Sequence, residues 1–157
     1  MTDTRRRSIS REELRIWRDY LETTEILRAR LASRLQSESS LSSGDYAVLL
    51  ALTEAPEHRL RASALAASIE WERSRLSHHL GRMERRELIR REECADDSRG
   101  ADVVLTELGA QSFRRAAVPH LRAIQELFVE ALSPAQFDAL DEVMTALRQH
   151  LGLSRAN

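Results

Sequence analysis

Arg75, His78, Arg82 and Arg85 recur at intervals of three or four residues, with Ser74 beside them and Ser77 and His79 on the flanks. On an α-helix that interval is one face. The face holds hydroxyls, imidazoles and guanidiniums, and no carboxylate. Guanidinium forks match phosphates and guanine edges, and hydroxyls can serve either. An ordinary solvated helix face mixes charge signs; this one does not. With Arg73 at its start, the segment from Arg73 to Arg86 predicts a helix suited to the major groove of DNA.

A second cluster follows. Arg90 and Arg91 stand at the base of a β-favouring pair of segments, Leu88 to Glu93 and Asp102 to Thr106, around the loop Asp96-Asp97-Ser98-Arg99-Gly100. An arginine at a hairpin tip can reach a narrow minor groove, where negative potential concentrates. Asp97 either orients Arg99 or belongs to an acidic tip that repels phosphate. The predicted DNA-contact set is therefore Arg73, Ser74, Arg75, Ser77, His78, His79, Arg82, Arg90 and Arg99, with Asp97 orienting.

Other chemistry is absent from the pattern. No nucleophile–base pairing, paired carboxylate or Gly-rich phosphate loop occurs, so no catalytic residue, no cofactor and no enzymatic activity are expected. The five histidines lack metal-ligand spacing, and the adjacent His78 and His79 diverge by about 100° on a helix. Cys94 is the single cysteine, which excludes a disulfide framework and a multi-cysteine zinc site; it is either inert or a redox sensor. Trp71 is a ligand or DNA contact, or a staple packing on Leu76. Trp17, Tyr20 and Tyr46 either line a ligand cleft between the first two helices or belong to the core.

These groups need elements to hold them. Ser10 and Glu13 form a capping box opening a first helix to about Gln36, with Leu14, Trp17, Leu21, Leu31 and Leu35 in its stripe. Ser42 and Asp45 open a second helix ending at Pro56, and a short helix runs around Arg61 to Ser68. In the Arg73–Arg86 helix Leu76, Leu80 and Met83 face inward. Thr106 caps a long helix through Leu132, where Pro119 predicts a bend or break. Ser133-Pro134-Ala135-Gln136 starts the last helix, which carries Phe137, Leu140, Met144, Leu147 and Leu151 to Gly152.

The fold class that follows is mainly α with a small β-hairpin: a winged helix-turn-helix over residues 42–106, between long amphipathic helices over 10–36 and 107–152, in one domain of 1–157. The terminal stripes are too long for the middle unit to cover, so either they meet across a two-fold axis in a homodimer or they pair within one chain. At 157 residues, 42% hydrophobic and 31% charged, the composition is globular. No apolar run approaches the ~18 residues of a membrane span. The polar, basic start lacks a secretory apolar region, and cytoplasmic residence is expected. The net charge is −1, yet the stretch from Arg59 to Arg99 carries a small positive surplus, and every basic residue is arginine.

The run Arg75-Leu76-Ser77-His78-His79-Leu80-Gly81-Arg82-Met83-Glu84-Arg85-Arg86-Glu87-Leu88-Ile89-Arg90-Arg91, then Asp97-Ser98-Arg99-Gly100 and Leu105-Thr106-Glu107-Leu108-Gly109, resembles the MarR (multiple antibiotic resistance regulator) family. The Asp-x-Arg-Gly wing followed by Leu-Thr-x-x-Gly is the more specific part. The resemblance implies a dimeric regulator joined through its first, fifth and sixth helices, a recognition helix at Arg73 to Arg86, and a wing arginine at Arg99. It also implies, in many members, a small phenolic or aromatic ligand that loosens DNA binding. One residue departs from the pattern: Glu87 stands where the family commonly has glycine. The expected function is a ligand-responsive repressor on double-stranded DNA with an inverted-repeat operator. The competing class is a helical adaptor that binds a protein partner.

Overall fold

The computed structural model describes residues 8–93 and 100–153. Helix α1 spans Arg11–Ser39, α2 Ser43–Glu54, α3 Ala62–Ser68, α4 Arg73–Arg85, α5 Glu107–Leu127 and α6 Pro134–His150. Strands β1 (Arg59–Arg61), β2 (Ile89–Glu93) and β3 (Ala101–Leu105) form one antiparallel sheet in the order β1-β3-β2. No helix among the described residues is long and apolar enough to cross a membrane.

Local chemistry starts three of the helices. At Ser10, Ser42 and Ser133 the hydroxyl accepts the amide three residues on, and the side chains of Glu13, Asp45 and Gln136 return the bond. Each box satisfies two otherwise orphaned donors. Several boundaries differ from expectation. α1 continues to Ser39, and α5 ends at Leu127, with a separate 3₁₀ turn at Val129–Ala131. Pro119 lies inside α5 without ending it.

The third strand was not foreseen. Arg59, Leu60 and Arg61 pair with Val104, Val103 and Asp102, so the wing is a three-stranded sheet rather than a bare hairpin. On its outer face Glu92 receives Arg90 from its own strand and Arg59 from β1, and Val104 is buried beneath. The inner face delivers Ile89, Val103 and Leu105 to the core.

That core joins Leu35 and Leu41 to Val48, Leu49 and Leu52 of α2, Leu65 of α3, and Leu76, Leu80 and Met83 of α4. Each such side chain contributes about 1.5–3 kcal/mol on burial. α5 reaches this core by a close approach. A Cβ at Gly109 would lie 2.0 Å from the Leu88 carbonyl oxygen, so only glycine lets the first turn of α5 rest on the foot of β2. Thr106 secures the junction: its hydroxyl accepts the Gly109 amide at 2.9 Å and lies 2.6 Å from the Glu87 carbonyl. Glu87 takes a left-handed conformation, φ 59°. The chain therefore turns into β2 as glycine would, with a side chain that strains it.

α6 stands apart from this packing, with no buried residue. Its anchor to the end of α5 is the edge-to-face pair Phe128–Phe137, with ring centroids 5.5 Å apart. α1 is clamped to α5 by Arg34, whose Nη1 lies 2.5 Å from Glu126 Oε2.

Candidate nucleic-acid interface

α4 packs Leu76, Leu80 and Met83 inward, which turns Arg73, Ser74, Arg75, Ser77, His78, Arg82 and Arg85 to solvent. Ser74, Arg75, His78, Arg82 and Arg85 share one exposed face without a carboxylate, while Arg73 and Ser77 lie to its side with Glu84. His79 is a correction. Expected on the flank of that face, its ring is buried, with Nε2 3.1 Å from Asp45 Oδ1. It stands one turn beyond Arg75, where the helix meets α2, and a carboxylate waits there.

Asp45 is itself buried. Burial pushes its carboxyl up, but contacts from His79, from Arg86 and from the Ser42 amide outweigh that and hold it well below the usual carboxylate range. Arg86 donates to Asp45 Oδ2 at 2.7 Å and to the Ser40 carbonyl at 2.9 Å, which ties α4 to the α1–α2 junction.

Trp71 packs against the core that holds Leu76, as the staple reading expects, and it also carries two ring contacts that reading did not include. Its ring meets His79 edge-on, centroids 5.2 Å apart, and the Arg75 guanidinium lies 4.1 Å from its centroid. That is a cation–π contact, and it gives one reading-face arginine a fixed support.

Beside α4, Arg61 joins Arg73, Ser77 and Arg91 around a groove of about 380 Å³ between α3, α4 and the sheet. Sequence reasoning missed Arg61; the alternation Arg59-Leu60-Arg61 was its only signal. Arg91 is held by Glu84 at 2.6 Å and Arg90 by Glu92 at 2.6 Å, so both wing-base arginines are aimed by carboxylates. Asp97, Arg99 and Cys94 lie outside the described residues.

A second cavity, about 620 Å³, opens between α1, α2 and α4. Tyr46 lines it and also packs against the core, so both alternatives meet in one residue, whereas Trp17 and Tyr20 do neither. They sit together on the exposed N-terminal half of α1, ring centroids 6.2 Å apart, beyond the reach of α2. Arg28, Trp71, Arg75 and His120 line it instead. The His120 ring lies 4.5 Å from Tyr46, and its Nδ1 is buried with no partner among the described residues. Burial lowers the His120 pKa and raises that of Tyr46. No group of three or more candidate metal ligands occurs among the described residues.

A family model for the MarR family matches residues 39–100. No curated protein sequence matches the chain. Among solved structures, AbsC, a MarR family transcriptional regulator from Streptomyces coelicolor, is 36% identical, with 92% of this chain and 97% of that chain covered and a TM-score of 0.84. Sco3205, a MarR family transcriptional regulator from the same organism solved in complex with DNA, is 35% identical over 96% of this chain and 95% of that chain, with a TM-score of 0.86. A MarR variant from E. coli complexed with operator DNA shares the fold at 18% identity, covering 90% of this chain and 99% of that chain, TM-score 0.76. Likeness over nearly the whole length, at more than a third identity in both Streptomyces proteins, shows that the chain belongs to the MarR family of transcriptional regulators.

Proposed function

We propose that the protein is a dimeric, ligand-responsive repressor that binds an inverted-repeat operator through α4 and its wing. The observation that carries this is the exposed face of Arg73, Ser74, Arg75, Ser77, His78 and Arg82, built on a buried apolar row. The DNA complex of the similar Sco3205 supports it.

Dimerisation is supported by what one chain leaves uncovered. Trp17, Leu21, Val118, Leu121, Val143, Leu147 and Leu151 are exposed along α1, α5 and the α6 region, and extended apolar patches of this kind mark association surfaces. A two-fold pairing would set two recognition helices about 34–36 Å apart, with half-sites centred ~10 bp apart. The effector is a small aromatic molecule in the cleft of about 620 Å³, a volume in the usual ligand range. Arg75 belongs both to the wall of that cleft and to the reading face, so an occupant that engages it takes it from DNA.

The test is selection from a random-sequence duplex pool by the full-length chain, followed by footprinting and by transcription from a promoter overlapping the selected site. An enriched inverted repeat and reduced transcription are expected. Absence of any enriched sequence would return the adaptor reading.

A further inference from the structure

The back of α4 rests on the first turn of α2, and that contact is polar. Asp45 Oδ2 accepts from Arg86 at 2.7 Å and from the Ser42 amide at 2.9 Å, so the carboxylate is pinned at two points. Its Oδ1 lies 3.1 Å from His79 Nε2. Across the same ring, Arg82 Nη2 lies 2.9 Å from His79 Nδ1. A guanidinium has only donors, so Nδ1 accepts and the ring proton sits on Nε2, beside the Asp45 carboxylate at ion-pair distance but out of hydrogen-bond alignment with it. A buried carboxylate thus stands against an imidazole, and the imidazole holds an exposed guanidinium.

His79 occupies a position in the helix that packing alone would give to an apolar residue, between Leu76 and Met83. A buried imidazole is costly unless its nitrogens are engaged. Gly44 makes room for it: a Cβ there would lie 2.7 Å from Trp71 Cη2 and 2.9 Å from His79 Cε1. The contact to His79 uses one of the five N–H groups of Arg82 and leaves the others for a partner.

We propose that His79 is a positioning residue of the DNA interface: buried between Asp45, Gly44 and Trp71, it presents Nδ1 as a fixed acceptor that holds Arg82 in the orientation in which it meets DNA. An unanchored arginine gives up most of its rotamer freedom on binding, whereas one already held has less to lose. The inference rests on α4 being the DNA-facing helix and Arg82 one of its contacts.

The experiment uses the full-length protein and the duplex it selects from a random-sequence pool. Affinity is measured for that duplex and its single-base variants with His79→Gln, Arg82→Ala and the double variant, alongside thermal midpoints. Glutamine keeps an N–H near the Nε2 position for Asp45 but offers nothing at Nδ1. Arg82→Ala and His79→Gln should each weaken binding roughly 5- to 100-fold, with the same dependence on base sequence. The double variant should be no weaker than Arg82→Ala alone. His79→Asn, whose Oδ1 stands near the Nδ1 position, should recover part of the loss.

Wild-type affinity in His79→Gln beside a damaged Arg82→Ala overturns the proposal, as do losses that multiply in the double variant. Full affinity in Arg82→Ala also overturns it, while leaving DNA binding by the chain intact. Failure of the wild-type chain to select any duplex overturns the proposed function itself. If His79→Gln does not fold, Gly44→Ala takes its place, since the added Cβ displaces the same ring. Because that Cβ also meets Trp71, which supports Arg75, the comparison is made in an Arg75→Ala background. There the loss of affinity should vanish when Arg82→Ala is added, and its persistence counts against the proposal.

Discussion

Glu84 grips Arg91 at three points: Oε2 lies 2.6 Å from Nη2 and 2.8 Å from Nε, and Oε1 accepts the Arg91 backbone amide at 3.0 Å. One side chain thereby fastens the last turns of α4 to β2, the first strand of the wing hairpin. The angle between recognition helix and wing depends on this grip and on the turn at Glu87.

The grip predicts a pH signature. The Arg91 contacts lower the Glu84 pKa against a smaller opposing effect of burial. A carboxyl depressed in the folded state stabilises above its ordinary value, and that stability is lost as pH falls through the depressed one. Both side chains are more than a third exposed, so Glu84→Gln should cost only about 0.5–1 kcal/mol at neutral pH. Urea midpoints should show the gap between wild type and variant closing in acid. A constant gap would place the effect elsewhere.

Asp45→Ala should be far more damaging. It leaves buried His79 without its carboxylate and Arg86 with only the Ser40 carbonyl, a loss of about 1–3 kcal/mol. Because the Asp45 carboxyl is held well below the usual range, its contribution should survive acidification past the point where ordinary carboxyls protonate. A small change in the urea midpoint would show that the network is dispensable.

Glu87→Gly should stabilise the protein. The residue sits at φ 59°, where a Cβ costs roughly 1 kcal/mol, although glycine gives back part of that through the unfolded chain. A gain on the order of 2 °C in thermal midpoint is expected. A fall would mean the Glu87 side chain does something that its backbone does not reveal.

Leu147→Glu places a charge in the exposed apolar stripe of α6. If a second copy covers that stripe, light scattering should report about twice 17.9 kDa for the wild type and a smaller or aggregated species for the variant. Deleting residues 133–157 should aggregate or unfold the chain. A folded, soluble monomer from that truncation would contradict the dimer.

Arg99→Ala should weaken DNA binding by about 1–3 kcal/mol and reduce the salt dependence by about one counterion. Asp97→Ala should weaken it less, and in the same direction, if the carboxylate orients the arginine. Tighter binding by Asp97→Ala at two salt concentrations would instead identify a repulsive tip.

The helices were legible because their signals are local. Ser10–Glu13, Ser42–Asp45 and Ser133–Gln136 cap within one turn, and the inward row Leu76, Leu80, Met83 repeats with the helix itself. The carboxylate-free face of α4 followed from the same period. Tertiary structure alone decided the rest. Three residues, Arg59–Arg61, carry too little alternation to announce a strand; they become one because β3 offers them an edge. His79 lies on the flank of the α4 face by sequence, and only the packed chain shows its ring buried, with Asp45 of another helix behind it. Trp17 and Tyr20 look like cleft residues, yet the cleft forms further along α1, where α2 and α4 meet it. Caps and periodicity act between residues a few positions apart, so a sequence displays them. A buried polar contact, a sheet edge or a cleft depends on which elements meet, and that is settled only when the whole chain packs.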